Sequence, residues 1–269
     1  GTSNQKLSGS NPAVFNDVLL YNQTAQPAFH LEGDMVVTRE IEFNQGVVDN
    51  ENFGGIITFD QNANHINTWD GSHVDGFVNR LGNHQFNFPI GNEGFYRRSS
   101  INGMSGDNSQ FASKFIFENS NSNFPHQQKQ IEIDWIDNQE YWIIENLGTT
   151  QDIIITLTWD EVTTTPHPLI ANTNHEIQIV RWDKVQNKWV SEGGVADKVN
   201  RTVTTTSSVS GSEIFTLGLV QKDQKDCVEV FNSVSANGDD KNSYLHIGCL
   251  ENYPNNTIEI FNRWGVKVF

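Results

Sequence analysis

Hydrophobic and polar residues alternate with a period of two over much of this chain, in short runs separated by turn residues. The clearest runs lie at residues 131–136, 141–145, 153–159, 176–182 and 214–220. Alternation of this kind in segments rich in Ile, Thr and Trp predicts half-buried strands. No segment predicts a helix of more than two turns, so the sequence predicts an all-β protein. Seven or more short strands within residues 94–220 predict a Greek-key-like β-sandwich.

The pattern differs on the N-terminal side of this sandwich. Residues 31–93 carry short apolar groups about every ten residues, each followed by Gly, Asn or Asp, which predicts a β-rich stem or a solenoid-like stack. Residues 1–30 are polar and are expected to form an irregular arm that packs through the apolar cluster at positions 14–21. Residues 137–140 are flanked by two alternating runs and predict a hairpin turn.

A small third region follows the sandwich. Residues 221–226 (QKDQKD) contain no apolar residue and predict a linker. Residues 227–269 contain three more alternating runs, joined by Asn-Gly-Asp-Asp and Tyr-Pro-Asn-Asn turns. The sequence therefore predicts a small C-terminal β module.

Charge and composition restrict the classes of function. The formal net charge of −16 makes binding to nucleic acid or to an anionic membrane unfavourable, and no apolar run is long enough to cross a bilayer. The chain opens on Gly1 without an initiator Met or a signal peptide, and we expect it to be the C-terminal part of a longer protein. It contains no catalytic or phosphate-binding signature, so no enzymatic activity and no cofactor is expected.

One cation site is a candidate. Asn237, Asp239, Asp240 and Asn242 place oxygen-bearing side chains around Gly238, as calcium prefers. The alternative is an Asx-rich turn that closes a hairpin. Three histidines also fall in one region: His65, His73 and His84. Their spacing matches no metal-binding motif.

The two cysteines, Cys227 and Cys249, both lie in the C-terminal module. They are predicted either to form a disulfide, if their strands pair, or to remain buried free thiols.

The aromatic residues of the sandwich raise a question of carbohydrate binding. Five tryptophans lie in or beside its predicted strands, and exposed aromatic platforms stack on sugars: Trp135, Trp142, Trp159, Trp182 and Trp189. Alternating strands more often bury such residues, so we expect a core role.

The candidate partner-binding feature is the step Asn262-Arg263-Trp264-Gly265, which follows an alternating strand at residues 257–261. Arg and Trp are frequent anchors of interfaces, and Gly permits a bulge at this point. The alternative is that Trp264 fills a small core with Arg263 stacked over it.

The amino-acid sequence of this module resembles a known family. Asn237-Gly238-Asp239, Tyr253-Pro254-Asn255-Asn256 and Asn262-Arg263-Trp264-Gly265 closely match the gliding motility-associated C-terminal domain, the type B sorting domain of the bacterial type IX secretion system. That family continues into further strands beyond the position of Phe269, so we expect the module to be incomplete at its C-terminus.

The resemblance implies a secreted, cell-surface protein associated with the outer membrane, with export and attachment as the role of this region. The implied partners are the type IX outer-membrane translocon and an outer-membrane β-barrel that accompanies type B cargo. Among known proteins, the resemblance points to the giant gliding-motility adhesins. Two alternatives remain: a carbohydrate-binding module in residues 94–220, or the non-catalytic tail of an exported polysaccharide-degrading enzyme.

Overall fold

Strands dominate the structure, a computed structural model that describes residues 3–149, 151–164, 175–210, 212–221, 245, 247 and 255–268. The chain divides into two compact units, Gly1–Gln221 and Lys222–Phe269. In these described ranges the helical content is one 3-10 turn, Ser120–Ser122. The predicted all-β class is confirmed.

The first unit begins as a parallel β-solenoid. One face consists of a parallel ladder closed by one antiparallel strand: β1 (Gln5–Leu7), β3 (Phe29–Leu31), β5 (Val48–Asp49), β8 (Val74–Asp75), β11 (Ile90–Asn92) and β12 (Phe95–Tyr96). The other face consists of parallel strands, of which β2 and β4 are the longest: β2 (Ala13–Tyr21), β4 (Met35–Gln45), β6 (Ile57–Phe59), β7 (Asn64–Ile66) and β9 (Val78–Leu81). We call β1 with β2 coil 1, and β3 with β4 coil 2.

Successive coils repeat at a nearly constant interval along the second face. Ala13 pairs with Met35, Met35 with Ile57, and Ile57 with Val78. The predicted solenoid-like stacking of residues 31–93 is thus observed, and it begins earlier than expected. Residues 1–30 were expected to be irregular but contain β1, β2 and β3, because a parallel ladder is completed by neighbours that are distant in sequence.

The region predicted to be a β-sandwich, for which we keep the name sandwich, continues directly from the solenoid as antiparallel strands. Strand β9 pairs antiparallel with the first strand of a set that extends the same sheet: β14 (Gln110–Ile116), β15 (Ile133–Ile136), β16 (Tyr141–Asn146), β18 (His175–Asp183), β19 (Lys188–Ser191) and β23 (Glu213–Gln221). A second antiparallel sheet contains β10 (Phe86–Asn87), β13 (Ser99–Asn102), β17 (Asp152–Thr158), β20 (Val195–Asp197), β21 (Thr202–Thr204) and β22 (Val209–Ser210). The Greek-key connectivity stays a prediction.

One hydrophobic core runs through both parts of the first unit. Phe43 and Phe59 of the coils belong to the same buried cluster as Ile101, Leu157 and Phe215 of the sandwich. The predicted division between a stem at residues 31–93 and a sandwich at 94–220 is therefore not a boundary between separate cores.

Residues 137–140 do not form the predicted hairpin. Strands β15 and β16 run in the same direction and pair with different parts of β23, Ile136 opposite Gly218 and Trp142 opposite Phe215. The intervening segment keeps contact with β23 through the Asp137 amide, which donates to the Leu217 carbonyl at 2.8 Å. A polar interruption between two strands looks the same in sequence whether the chain reverses or continues.

Candidate functional site

The described end of the second unit is a short β-hairpin. Phe261 and Lys267 form an antiparallel bridge, and the Val268 amide donates to the Ile260 carbonyl at 2.8 Å. The Asn262 amide donates to the Val266 carbonyl at 2.9 Å, and the Gly265 amide donates to the Asn262 carbonyl at 2.9 Å. This pattern is a type I turn followed by a glycine bulge.

Asn262 and Gly265 build this turn. The Oδ1 atom of Asn262 accepts hydrogen bonds from the amides of Trp264 at 2.9 Å and Val266 at 3.0 Å. Gly265 has a φ of 75°, in the left-handed region where a side chain is strained. The predicted bulge is present, and these two members of the partner-binding step have a local structural role.

Arg263 and Trp264 occupy the apex of the turn. Trp264 is 76% exposed, so it does not fill a core. The Arg263 guanidinium carbon lies 4.6 Å from the centre of the Trp264 ring, within the range of a cation–π contact. The hairpin thus presents a cation and an indole together to solvent.

The strands beside the turn are also exposed. Phe261, Val266 and Val268 carry accessible apolar side chains. Lys267 pairs with Glu259 across the hairpin at 2.8 Å, between Nζ and Oε1. Aromatic and Arg side chains surrounded by exposed apolar groups are typical of surfaces that bind protein.

Other predicted features of this unit lie outside the described residues. These are the calcium candidates Asn237, Asp239, Asp240 and Asn242 and the cysteines Cys227 and Cys249. In the parts of the chain that are described, no group of three or more His, Cys, Asp or Glu side chains is arranged to hold a metal ion.

The three solenoid histidines make separate contacts, and the Nδ1 atom of His84 lies 3.3 Å from the Gln61 carbonyl. His65 is caged by the rings of Phe43, Phe59 and Phe86 with centres about 6 Å away, and its ring nitrogens contact Thr68 Oγ1 and the Asn87 carbonyl. Burial lowers the pKa of His65 to about 4. Burial also lowers the pKa of His73. His65 is therefore a neutral, half-buried residue near pH 7.

The first unit contains a buried ionic network that sequence reasoning missed. Glu140 is fully buried, and its carboxylate accepts a short hydrogen bond from the Thr164 hydroxyl. The Arg97 Nε atom lies 3.6 Å from Glu140 Oε2, and Arg97 also donates to the Thr163 hydroxyl at 2.6 Å. The network fastens the turn at residues 160–164 to the start of β16. Burial raises the pKa of Glu140 to about 7, against the opposing effects of Thr164 and Arg97.

The sandwich tryptophans divide into two groups. Trp142, Trp159, Trp182 and Trp189 are buried, as predicted. The prediction is wrong for Trp135, which is 49% exposed. A β-bulge between Ile133 and Trp135 shifts the register against β23, so that Asp134 and Trp135 both face outward between buried Ile133 and Ile136. Bulges re-aim side chains in this way.

Trp135 borders a depression of about 270 Å³ whose lining is both polar and apolar. The side chains around it are mainly amides and charged groups: Asn119, Asn121, Gln127, Lys129, Asp134 and Asn138. A half-exposed indole beside amide donors and acceptors can stack on an apolar ring face and hydrogen-bond to hydroxyl groups.

No helix in the described ranges has the length and hydropathy needed to cross a membrane. A search among curated proteins finds no match to the chain. The family comparison does find one, and it falls on the C-terminal module whose turn is described above. Residues 228–269 match the CHU_C type IX secretion signal domain, which confirms the resemblance of this part of the chain to those sorting domains.

Proposed function

We propose that this chain is the C-terminal region of an adhesin-like protein that the type IX system exports and then holds at the cell surface. The match of residues 228–269 to a type IX secretion signal domain carries the proposal. That match implies contact with the type IX machinery and export of the chain. Surface attachment and the adhesin role are the further steps proposed.

The exposed turn supports a protein–protein role for this region. Arg263 is a cation presented beside Trp264 on a chain of net charge −16, and its guanidinium can pair with a carboxylate of a partner. The partners proposed are the outer-membrane translocon and the outer-membrane β-barrel that accompanies type B cargo. In this proposal residues 1–221 are the presented part of the protein, and no catalytic step is required.

Export can be tested with a reporter. A soluble reporter with a signal peptide, fused to residues 1–269 and any native residues that follow, is expected at the surface of a type IX-competent bacterium. The matched fusion without residues 227–269 is expected to stay in the periplasm, as is the complete fusion in a type IX-deficient strain. Full export of the truncated fusion would contradict the proposal.

A second candidate function is carbohydrate binding, which the outward position of Trp135 favours. The bulge that exposes this indole interrupts the hydrogen-bonded pairing of β15 with β23. The depression beside it is rich in side-chain amides, which suit the hydroxyl groups of a sugar. An exported polysaccharide-degrading enzyme with such a module would carry the same sorting region, so this candidate is compatible with the first.

Affinity electrophoresis against a panel of neutral and acidic polysaccharides tests this second function. The chain is expected to be retarded by at least one polysaccharide, and Trp135→Ala is expected to abolish that retardation. Trp69→Ala is the matched control, because Trp69 is also an exposed indole but lies on the solenoid. Equal retardation of both variants, or none with the parent chain, would exclude Trp135 as a sugar platform.

A further inference from the structure

No described strand covers the N-terminal end of the solenoid. Strands β1 and β2 are the last strands of their two sheets, so both faces of the coil stack end at coil 1. Within the described residues no strand pairs with the outer edge of β2, which is nine residues long. A long, open parallel edge leaves a row of backbone donors and acceptors available for another strand.

This end is apolar as well as open. Phe15 is 43% exposed, although Val37, its partner on the next coil, is fully buried. Leu19 is 62% exposed. A depression of about 470 Å³ at this end is lined by inward-facing residues of coils 1 and 2, including Leu7, Phe15, Val18, Leu20 and Met35.

Strand β2 lacks the features of a terminal cap, although β1 carries Lys6, which pairs with Glu32. A capping coil of a solenoid normally has a polar outer surface, and protected edge strands carry Lys or Pro. Strand β2 reads AVFNDVLLY, and its only charged residue, Asp17, pairs with Arg39 of the adjacent strand β4. The open surface of coil 1 therefore resembles the apolar interface between coils 1 and 2 more than a polar, solvent-exposed surface.

A second copy of the chain fits this edge poorly. At the opposite end of the stack, β9 is paired with β14 and β11 with β12, so within the described residues the open coil end that a partner copy offers is its own β2. Two β2 strands related by a two-fold axis would run antiparallel. Full overlap would place the two Asp17 carboxylates opposite each other at the centre, which is unfavourable.

A further coil fits it well. The ladder through positions 13, 35, 57 and 78 extends by the same parallel step on the open side of β2. The backbone enters coil 1 at this same end, where the Ser3 carbonyl is held by the Asn22 side-chain amide at 3.0 Å. From the register of β1, β3 and β5, Ser3 and Asn4 occupy the positions of Gly46 and Val47, the connection into a later coil.

We propose that this end surface docks one more parallel β-coil of about 22 residues, supplied by polypeptide that leads into Ser3, with apolar residues facing Phe15, Val18 and Leu20. The coil-to-coil interface already present in the solenoid would then be repeated once more.

The test uses the chain with one coil added. A second copy of residues 22–45 is placed directly before Ser3, a junction that preserves the register of the ladder. The copy is expected to slow hydrogen exchange of alternate β2 amides by about tenfold or more, since those amides gain partners. The matched control carries Val37→Asp and Ile41→Asp within the copy only, and it is expected to leave β2 exchange unchanged.

A second pair of variants distinguishes docking from a general effect of extra chain. Phe15 points into the open end, whereas Val14, which is 67% exposed, points outward. In the extended chain Phe15→Asn is expected to remove most of the gained protection, and Val14→Asn is expected to retain it. Without the added coil both variants are expected to fold and to show β2 exchange like that of the parent chain.

Two results would overturn the proposal. One is unchanged β2 exchange in a well-folded extended chain. The other is a concentration-dependent dimer of the unextended chain, seen by sedimentation, in which the β2 amides are already protected. The second result would assign the surface to another copy of the chain.

Discussion

Glu140 is a buried carboxyl whose surroundings favour its protonated form. Burial raises its pKa to about 7, above the ordinary value of 4.5, even though Thr164 and Arg97 favour ionisation. The folded state therefore keeps a proton that the unfolded chain releases. The stability associated with this proton is fully present below pH 4.5 and is lost as the pH rises through about 7.

The first prediction compares the parent chain with Glu140→Gln. The free energy of unfolding of the parent, relative to the variant, is expected to fall by on the order of 3 kcal/mol between pH 4.5 and pH 7.5. His65 and His73 act in the opposite direction, because burial lowers their pKa, but they are common to both proteins and cancel. Urea unfolding at each pH measures this difference. The prediction would be contradicted if the free energies of unfolding of the two proteins changed with pH in parallel.

The second prediction concerns the apex of the hairpin. Arg263→Ala and Trp264→Ala are expected to leave the turn intact, because neither side chain takes part in its hydrogen bonds. Each is expected to weaken binding to the outer-membrane partner by about 30-fold, the effect of losing roughly 2 kcal/mol at an interface anchor. Pull-down and surface retention of a reporter measure this, with Lys267→Ala on the same hairpin as control. Full retention of both apex variants would remove Arg263 and Trp264 from the binding surface.

At the scale of elements, the hairpin depends on the left-handed backbone of Gly265. Ala at this position is expected to cost about 1 kcal/mol, whereas Asn adopts this conformation more readily. Gly265→Ala should therefore speed hydrogen exchange of the Asn262 and Val268 amides by about fivefold, since roughly 1 kcal/mol is lost. Gly265→Asn should change it less. Equal exchange in all three proteins would show that the turn does not depend on this residue.

The elements also show where local sequence stops being informative. Strands β17, β18 and β23 lie where alternation predicted them, since the two faces of a strand are set by neighbouring residues. The segment at residues 137–140 was predicted to reverse the chain but continues along β23. Trp135 was expected inside and lies outside, because a single bulge moves later residues to the other face.

At the scale of the whole first unit, the shared core predicts cooperative unfolding. Ile41 lies in a coil and Ile155 in the sandwich, and both are fully buried in one cluster. Replacement of either by Ala is expected to destabilise the same single transition by about 2–5 kcal/mol. Tryptophan fluorescence, which reports mainly on the sandwich, and hydrogen exchange of β4 should give coincident midpoints in both variants. Separate midpoints would show that the solenoid and the sandwich unfold independently.

The sequence by itself determined the all-β class, most of the sandwich strands, the solenoid-like stacking and the family of the C-terminal module. Each of these depends on local alternation or on a short stretch of residues such as Asn262-Arg263-Trp264-Gly265. Only the tertiary structure decided that residues 5–31 belong to the solenoid, that Glu140 lies in a buried network with Arg97, and that Trp135 faces solvent. The physical reason is that parallel pairing, burial and register are set by residues distant in sequence, and no local pattern encodes them.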